Sequence, residues 1–308
     1  MMLGKTLYLL MLLTFLTFSG CSNEAEPQKV SLEKRGKVSV EQTDKARQIR
    51  FAVGGMITPK EGLAYYKDFL DYIGEKLGEP VSFVDRENYG EINNMLENGA
   101  LNLAFVCSGP YVDGHAKFGL ELLVAPHVYG GTVYHSYIIV NKNSPITSFA
   151  ELRGKKFAFT DPLSNSGKLV PTYMLAKIDE TPETYFQNYL FAKSHDNSIK
   201  AVAQELVDGA AVDSLVWEYL NRTNDEHASQ TRIIAKSPPF GIPPVVVPRN
   251  MDPQLKEKLR EIFLNADSDQ KGRQVLGRMM IDKFVVVDDQ AYDSVREMKA
   301  WLAELGLD

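Results

Sequence analysis

Two cysteines in 308 residues, Cys21 and Cys107, leave little scope for covalent cross-links. Neither sits in a C-x-x-C pair, no H-E-x-x-H is present, and no serine stands in a G-x-S-x-G setting. The usual signatures of thiol redox chemistry, zinc hydrolysis and the serine nucleophile elbow are therefore missing. A basic excess is missing too: 34 Lys and Arg against 40 Asp and Glu give a net charge of −6. That balance argues against nucleic-acid partners and an extended basic membrane patch, so an anion site would have to be made locally. The apolar run over residues 7–18 is too short to span a bilayer comfortably. What remains, 44% hydrophobic and 24% charged, suits a soluble globular chain with enough apolar material for two lobes with separate cores.

The first residues carry one cation, Lys5, then the apolar run, then Ser19 and Gly20 before Cys21. This predicts a secretory signal over residues 1–20. The stretch Phe18-Ser19-Gly20-Cys21 resembles a bacterial lipobox, departing from it at Phe18 where Leu or Val is usual. Cys21 is accordingly the expected site of lipidation, which would leave Cys107 as the only thiol. Removing residues 1–20 deletes Lys5 and no acid, taking the charge from −6 to −7. Residues 21–47, rich in Glu, Gln, Lys and Ser, are expected to form a flexible tether, with folded structure from about residue 48.

From there the pattern alternates. Strands are predicted over residues 48–54, 81–84, 101–106 and 120–126, and helices over 59–77, 89–98 and 109–118. A longer β-rich run over 134–141 leads to a second series: strands at 156–160, 189–192, 210–213 and 231–236, helices at 149–152, from 166, at 198–207 and 214–222. The proline-rich SPPFGIPPVVVP then reads as a crossing, followed by helices at 253–265, 268–280 and 289–305. Such alternation predicts an α/β protein with two lobes, each a mainly parallel sheet flanked by helices. Lobe 1 is expected over residues 48–137 with 245–308 and lobe 2 over 138–244, with a ligand cleft between them.

The sharpest local feature is DPLSNSGKLVP (residues 161–171), a strand end followed by small polar residues at a helix start. A helix N-terminus has unpaired N–H groups and a partial positive charge, so Ser164, Asn165 and Ser166 could surround an anion without net charge. The same residue types also serve as ordinary N-caps. His195 opens another predicted polar helix start, where it is either a capping or surface residue or a donor to a ligand. Asp213 either caps the helix beginning at Ser214 or accepts a proton from a protonated oxyanion.

DPLSNSGKLVP resembles the DPxSxSGxxxP stretch of the phosphonate, phosphate and phosphite-binding subunits of ABC importers. Three other stretches match in the same order: NYGEI (88–92), YHSYIIVNKNSPI (134–146) and SHDNSIKAVAQELVDGAAVDS (194–214). The resemblance covers roughly residues 48–265 and implies the two-lobed periplasmic-binding-protein type II fold. Carried over by position, the implied ligand contacts are Tyr89, Tyr134, Ser164, Asn165, Ser166 and His195; Asn165 departs from the more usual Thr. Members selecting an aminoalkyl phosphonate hold its ammonium with carboxylates at positions that here carry Leu215 and Pro243. An amine there would be buried without a partner, so phosphate, phosphite or a short alkylphosphonate is the expected ligand.

The implied activity is extracytoplasmic capture of a small phosphorus oxyanion and delivery to an ABC transporter permease, by a monomer that is not an enzyme. Neither cofactor nor metal is expected, and membrane attachment would be through the lipid alone. A ligand-sensing lipoprotein reporting to a membrane kinase is the alternative, and a periplasmic hydrolase or transferase on the same fold a more distant one.

Overall fold

Residues 48–54 and 59–307 are described by the structure, a computed structural model. The expected signal, Cys21 and the tether lie outside the described residues.

The chain opens with β1 (Ile49–Val53), α1 (Pro59–Leu77), β2 (Val81–Phe83), α2 (Tyr89–Glu97), β3 (Leu103–Phe105), α3 (Ser108–Phe118) and β4 (Glu121–His127). In α1, Tyr66, Phe69, Leu70, Ile73 and Leu77 recur at helical spacing and all are buried, and Gly78 ends the helix at φ +76°. The short β5 (Val133–Tyr134) then hands over to β6 (Ser136–Asn141).

The next section contains β7 (Lys156–Phe159), a single π-turn (Asn165–Leu169) running into α4 (Val170–Ala176), α5 (Pro182–Tyr185), β8 (Asn188–Phe191), α6 (His195–Ala203), β9 (Gly209–Asp213), α7 (Ser214–Arg222) and β10 (Thr231–Lys236). The return passes through β11 (Phe240–Gly241) to β12 (Val245–Val247), α8 (Pro253–Leu264), α9 (Gln270–Arg278), β13 (Lys283–Val285) and α10 (Asp293–Glu304).

These strands form two large sheets, ordered β13-β4-β12-β3-β1-β2 and β10-β6-β9-β7-β8, with β5 and β11 pairing separately as an antiparallel ribbon. The two chain passages from one sheet to the other therefore run side by side. This is the two-lobed type II periplasmic-binding-protein fold. The first sheet packs under α1 and α8, where Phe69 meets Phe263 edge-on at 5.2 Å and stacks on Phe284 at 5.5 Å.

The sheets are mixed, which corrects the expectation of mainly parallel ones. β1 is parallel to β2 and β3, and β7 to β8 and β9. However, β12 runs antiparallel between β3 and β4, and β6 antiparallel between β9 and β10. Each is the first strand after a crossing, and each enters the middle of its new sheet from the opposite end. Ser136 and Tyr137 already pair within the second sheet.

Candidate functional site

Four helices begin around one buried polar cluster. The N-terminus of α2 is capped by Asn88, whose Oδ1 accepts from the Glu91 N–H at 2.8 Å. Ser164 caps the π-turn, accepting from Gly167 N–H at 2.9 Å; Ser194 caps α6; and Asp213 caps α7, its Oδ1 accepting from Leu215 N–H at 2.7 Å. Tyr89, Asn165, His195 and Ser214 are thus the first residues of their helical segments, where N–H groups lack acceptors within the helix.

Hydrogen bonds tie these starts to one another. The Tyr89 N–H donates to Asp161 Oδ2 at 3.2 Å, while Asp161 Oδ1 accepts from Leu163 N–H at 2.8 Å. Asn165 Nδ2 donates to Tyr134 Oη at 2.9 Å, and Tyr134 Oη also lies 2.6 Å from Ser108 Oγ and 3.2 Å from Cys107 Sγ. Asp213 N–H donates to His195 Nδ1 at 3.0 Å, with Thr160 Oγ1 equally distant from that nitrogen. A backbone N–H can only donate, so Nδ1 is the acceptor and the ring carries its proton on Nε2. Burial holds the imidazole neutral, lowering its pKa to about 3.

All seven sequence-predicted residues are completely buried, and the structure brings them together. They divide by what their polar atoms do. Tyr89 Oη, Asn165 Oδ1, Ser166 Oγ, His195 Nε2 and Asp213 Oδ2 have no hydrogen-bond partner in the protein. By contrast, Ser164 Oγ is occupied as a cap and Tyr134 Oη by Ser108, Cys107 and Asn165. Buried polar atoms without partners are uncommon, because each forfeits its hydration, and five on adjoining residues mark a place built for something polar.

The cluster's electrostatics suit an anion in spite of the acidic chain. None of these five residues is a cation; donors are a phenol, an alcohol and a neutral imidazole at helix starts, whose dipoles favour negative charge. Burial raises the Asp213 carboxyl to about 7 and also raises that of Asp161. The raised Asp213 carboxyl is therefore less of an obstacle to an anion than a surface carboxylate, and both oxygens of Asp161 are engaged by backbone N–H groups.

The π-turn that presents Asn165 and Ser166 follows from Pro171. Lacking an N–H, Pro171 cannot donate to the carbonyls of Ser166 or Gly167. Ser136 Oγ donates to Ser166 O at 2.6 Å instead, and Thr160 N–H to Gly167 O at 3.1 Å. Gly167 has to be glycine: a Cβ there would lie 2.5 Å from Thr160 Cβ. Likewise a Cβ on Gly54 would stand 2.3 Å from the Tyr89 ring.

Residues 51–292 match the family described as ABC transporter, phosphonate, periplasmic substrate-binding protein. This chain belongs to that family. It is 29% identical over 235 residues, 75% of this chain and 69% of the relative, to the phosphonates-binding periplasmic protein of Escherichia coli K12. A binding-protein component of an ABC phosphonate transporter from Pseudomonas aeruginosa superposes with a TM-score of 0.78 at 26% identity, covering 82% of this chain and 86% of that one. The fold is shared with PhnD1 of Prochlorococcus marinus, solved in complex with methylphosphonate, at a TM-score of 0.76 and 18% identity over 85% of this chain and all of that one. Family members are substrate-binding proteins of importers, so the chain's place is in solute binding for transport.

Sequence reasoning missed Thr160, Asp161, Ser136 and Ser108, which orient the predicted residues. Asp161 alone carried a signal, since Asp-Pro favours the Asx turn it makes with Leu163. Leu215 and Pro243 are at least partly buried and neither carries charge. Among the described residues no group of three or more His, Cys, Asp or Glu is placed to hold a metal, and no helix is long and apolar enough to cross a membrane.

Proposed function

We propose that the protein captures a small phosphorus oxyanion, phosphate, phosphite or a short alkylphosphonate, on the buried cluster and delivers it to an ABC transporter permease. The observation carrying this reading is the set of five unpartnered polar atoms on Tyr89, Asn165, Ser166, His195 and Asp213. Tyr89 Oη, Ser166 Oγ and His195 Nε2 would donate to the oxyanion. One proton would lie between Asp213 Oδ2 and a ligand oxygen, carried in by either the carboxyl or a P–OH group. Ser164 and Tyr134 would act one step back, the first holding the π-turn and the second the Asn165 amide.

Capture proceeds by hinge closure about the β5–β11 ribbon, with residues 48–137 and 245–308 as one lobe and 138–244 as the other. Bonds such as Tyr89 N–H to Asp161 and Asn165 to Tyr134 join the two lobes in this reading, and closure is favoured by ligand only through such two-sided contacts. The protein acts as a monomer on the extracytoplasmic side, exported by residues 1–20 and held to the membrane by lipid on Cys21 through residues 21–47.

The test is calorimetric titration with phosphate, phosphite, methylphosphonate and 2-aminoethylphosphonate in phosphate-free buffer. Saturable 1:1 binding of at least one of the first three, with 2-aminoethylphosphonate weaker, is expected. Absence of binding by all four would refute the reading.

A further inference from the structure

Asp161 stands just beyond β7 and is 2% exposed, yet among the described residues only backbone N–H groups are its hydrogen-bond partners. Its two oxygens serve different parts of the chain. Oδ1 accepts from Leu163 N–H at 2.8 Å, within its own segment, and so shapes the turn that leads into Ser164. Oδ2 accepts from Tyr89 N–H at 3.2 Å, 72 residues away in sequence at the start of α2, which packs on β3 of the other sheet.

A carboxylate at a helix N-terminus is favoured by the free N–H and by the helix dipole, so Asp161 meets α2 as a bound anion would. The contact has an apolar half as well. Leu163 lies against Gly90, where a Cβ would stand 4.0 Å from Leu163 Cδ1, and the Tyr89 ring is pressed against Gly54. Both partners of each contact belong to the protein, and the hydrogen bonds use none of the five unpartnered atoms.

We propose that Asp161 is a positioning residue that clasps the start of α2 before any ligand is bound, populating the closed form and holding the Tyr89 hydroxyl at the anion cluster. Its effect on the ligand rests on the oxyanion reading above; the clasp itself does not. Each contact that closes the empty cleft raises the binding-competent fraction, and apparent affinity rises with that fraction. The clasp also separates α2 from the other helix starts. Its first N–H is taken by Asp161, so α2 serves the ligand through the Tyr89 side chain.

The test is Asp161→Asn. Asparagine makes the same turn with Leu163 through its one oxygen, but directs an amide N–H at the Tyr89 N–H, donor against donor. Small-angle scattering of the ligand-free proteins is expected to show D161N more open than wild type, with a melting temperature within a few degrees. With the tightest-binding of phosphate, phosphite and methylphosphonate, stopped-flow should give dissociation roughly tenfold faster in D161N, as for a lost hydrogen bond to a charged group, and association little changed. Removing a negative charge beside an anion would by itself tighten binding, so the charge change works against this outcome. Leu163→Ala, which removes the apolar half and keeps the turn, should shift both readouts the same way by less. Scattering identical to wild type in both variants overturns the clasp, as does dissociation that is unchanged or slower in D161N. A D161N melting temperature more than a few degrees below wild type also overturns it, because Asp161 would then act in the stability of its own segment. Silence from all three oxyanions in wild type overturns the oxyanion reading, and the ligand-free scattering then decides the clasp by itself.

Discussion

At the scale of the residue, Asp213 shows how one side chain serves two ends. Its Oδ1 caps α7, the first of the two alternatives open from sequence, and its Oδ2 stays unpartnered, which leaves it available for the ligand contact proposed above. Burial sets a linkage with a definite sign. The folded chain keeps this proton up to about pH 7, the unfolded chain only to about 3.8, so stability falls as pH rises through that window. His195 acts oppositely: lowered from 6.5 to about 3, it lets the unfolded chain bind the extra proton, so stability falls as pH drops below 6.5. Comparing Asp213→Asn with wild type cancels the histidine. The melting temperature of D213N minus that of wild type is expected to grow from pH 4 to 7 and level off above; a constant difference in thermal melts would contradict it. Ser164, Asn165 and Ser166 were legible because small polar side chains stood together at a strand-to-helix junction, whereas Tyr89, Tyr134 and His195 came from the family resemblance. Which of their atoms are spent on caps and which left unpartnered was not, since that depends on partners such as Ser108 and Thr160, distant in sequence.

At the scale of the element, apolar periodicity located α1 and α7 at their observed bounds, Pro59–Leu77 and Ser214–Arg222. It missed β13, three residues long, and started α6 three residues late, because Ser194-His195-Asp196-Asn197 has no apolar side chain to mark a period. Strand direction was invisible: an alternating or fully buried strand reads the same whichever way its neighbour runs, so the mixed sheets could not be told from parallel ones. The π-turn was hidden as well, its cause spread over Pro171, Ser136 and Thr160. That account is testable. Ser136→Ala leaves the Ser166 carbonyl buried without its donor, and a loss of about 1–3 kcal/mol is expected in chemical denaturation. Unchanged stability would mean that Ser136 does not hold the turn.

At the scale of the whole molecule, the proposed capture depends on how closely two layers approach. Gly109, in α3, faces the 161–171 segment so tightly that a Cβ would stand 2.3 Å from Leu163 O and 3.1 Å from Asn165 N. Both neighbours are backbone and cannot step aside. Gly109→Ala is therefore expected to weaken oxyanion affinity at least tenfold while leaving the melting temperature of the ligand-free protein within a few degrees. Small-angle scattering with ligand should then show a more open form than wild type; full closure and unchanged affinity would count against the approach being needed. The exposed pair Lys193–Glu87, at 2.5 Å, joins the same two layers, though a surface ion pair contributes little beside that steric fit.

The measurement that bears most directly on the oxyanion site is titration of wild type and Ser166→Ala in parallel with the tightest-binding of phosphate, phosphite and methylphosphonate. Because Ser166 Oγ has no partner in the protein, its removal should not lower the melting temperature, yet it should weaken binding by roughly ten- to a hundredfold, as for a hydrogen bond to a charged group. Equal affinity in the two proteins would contradict the account.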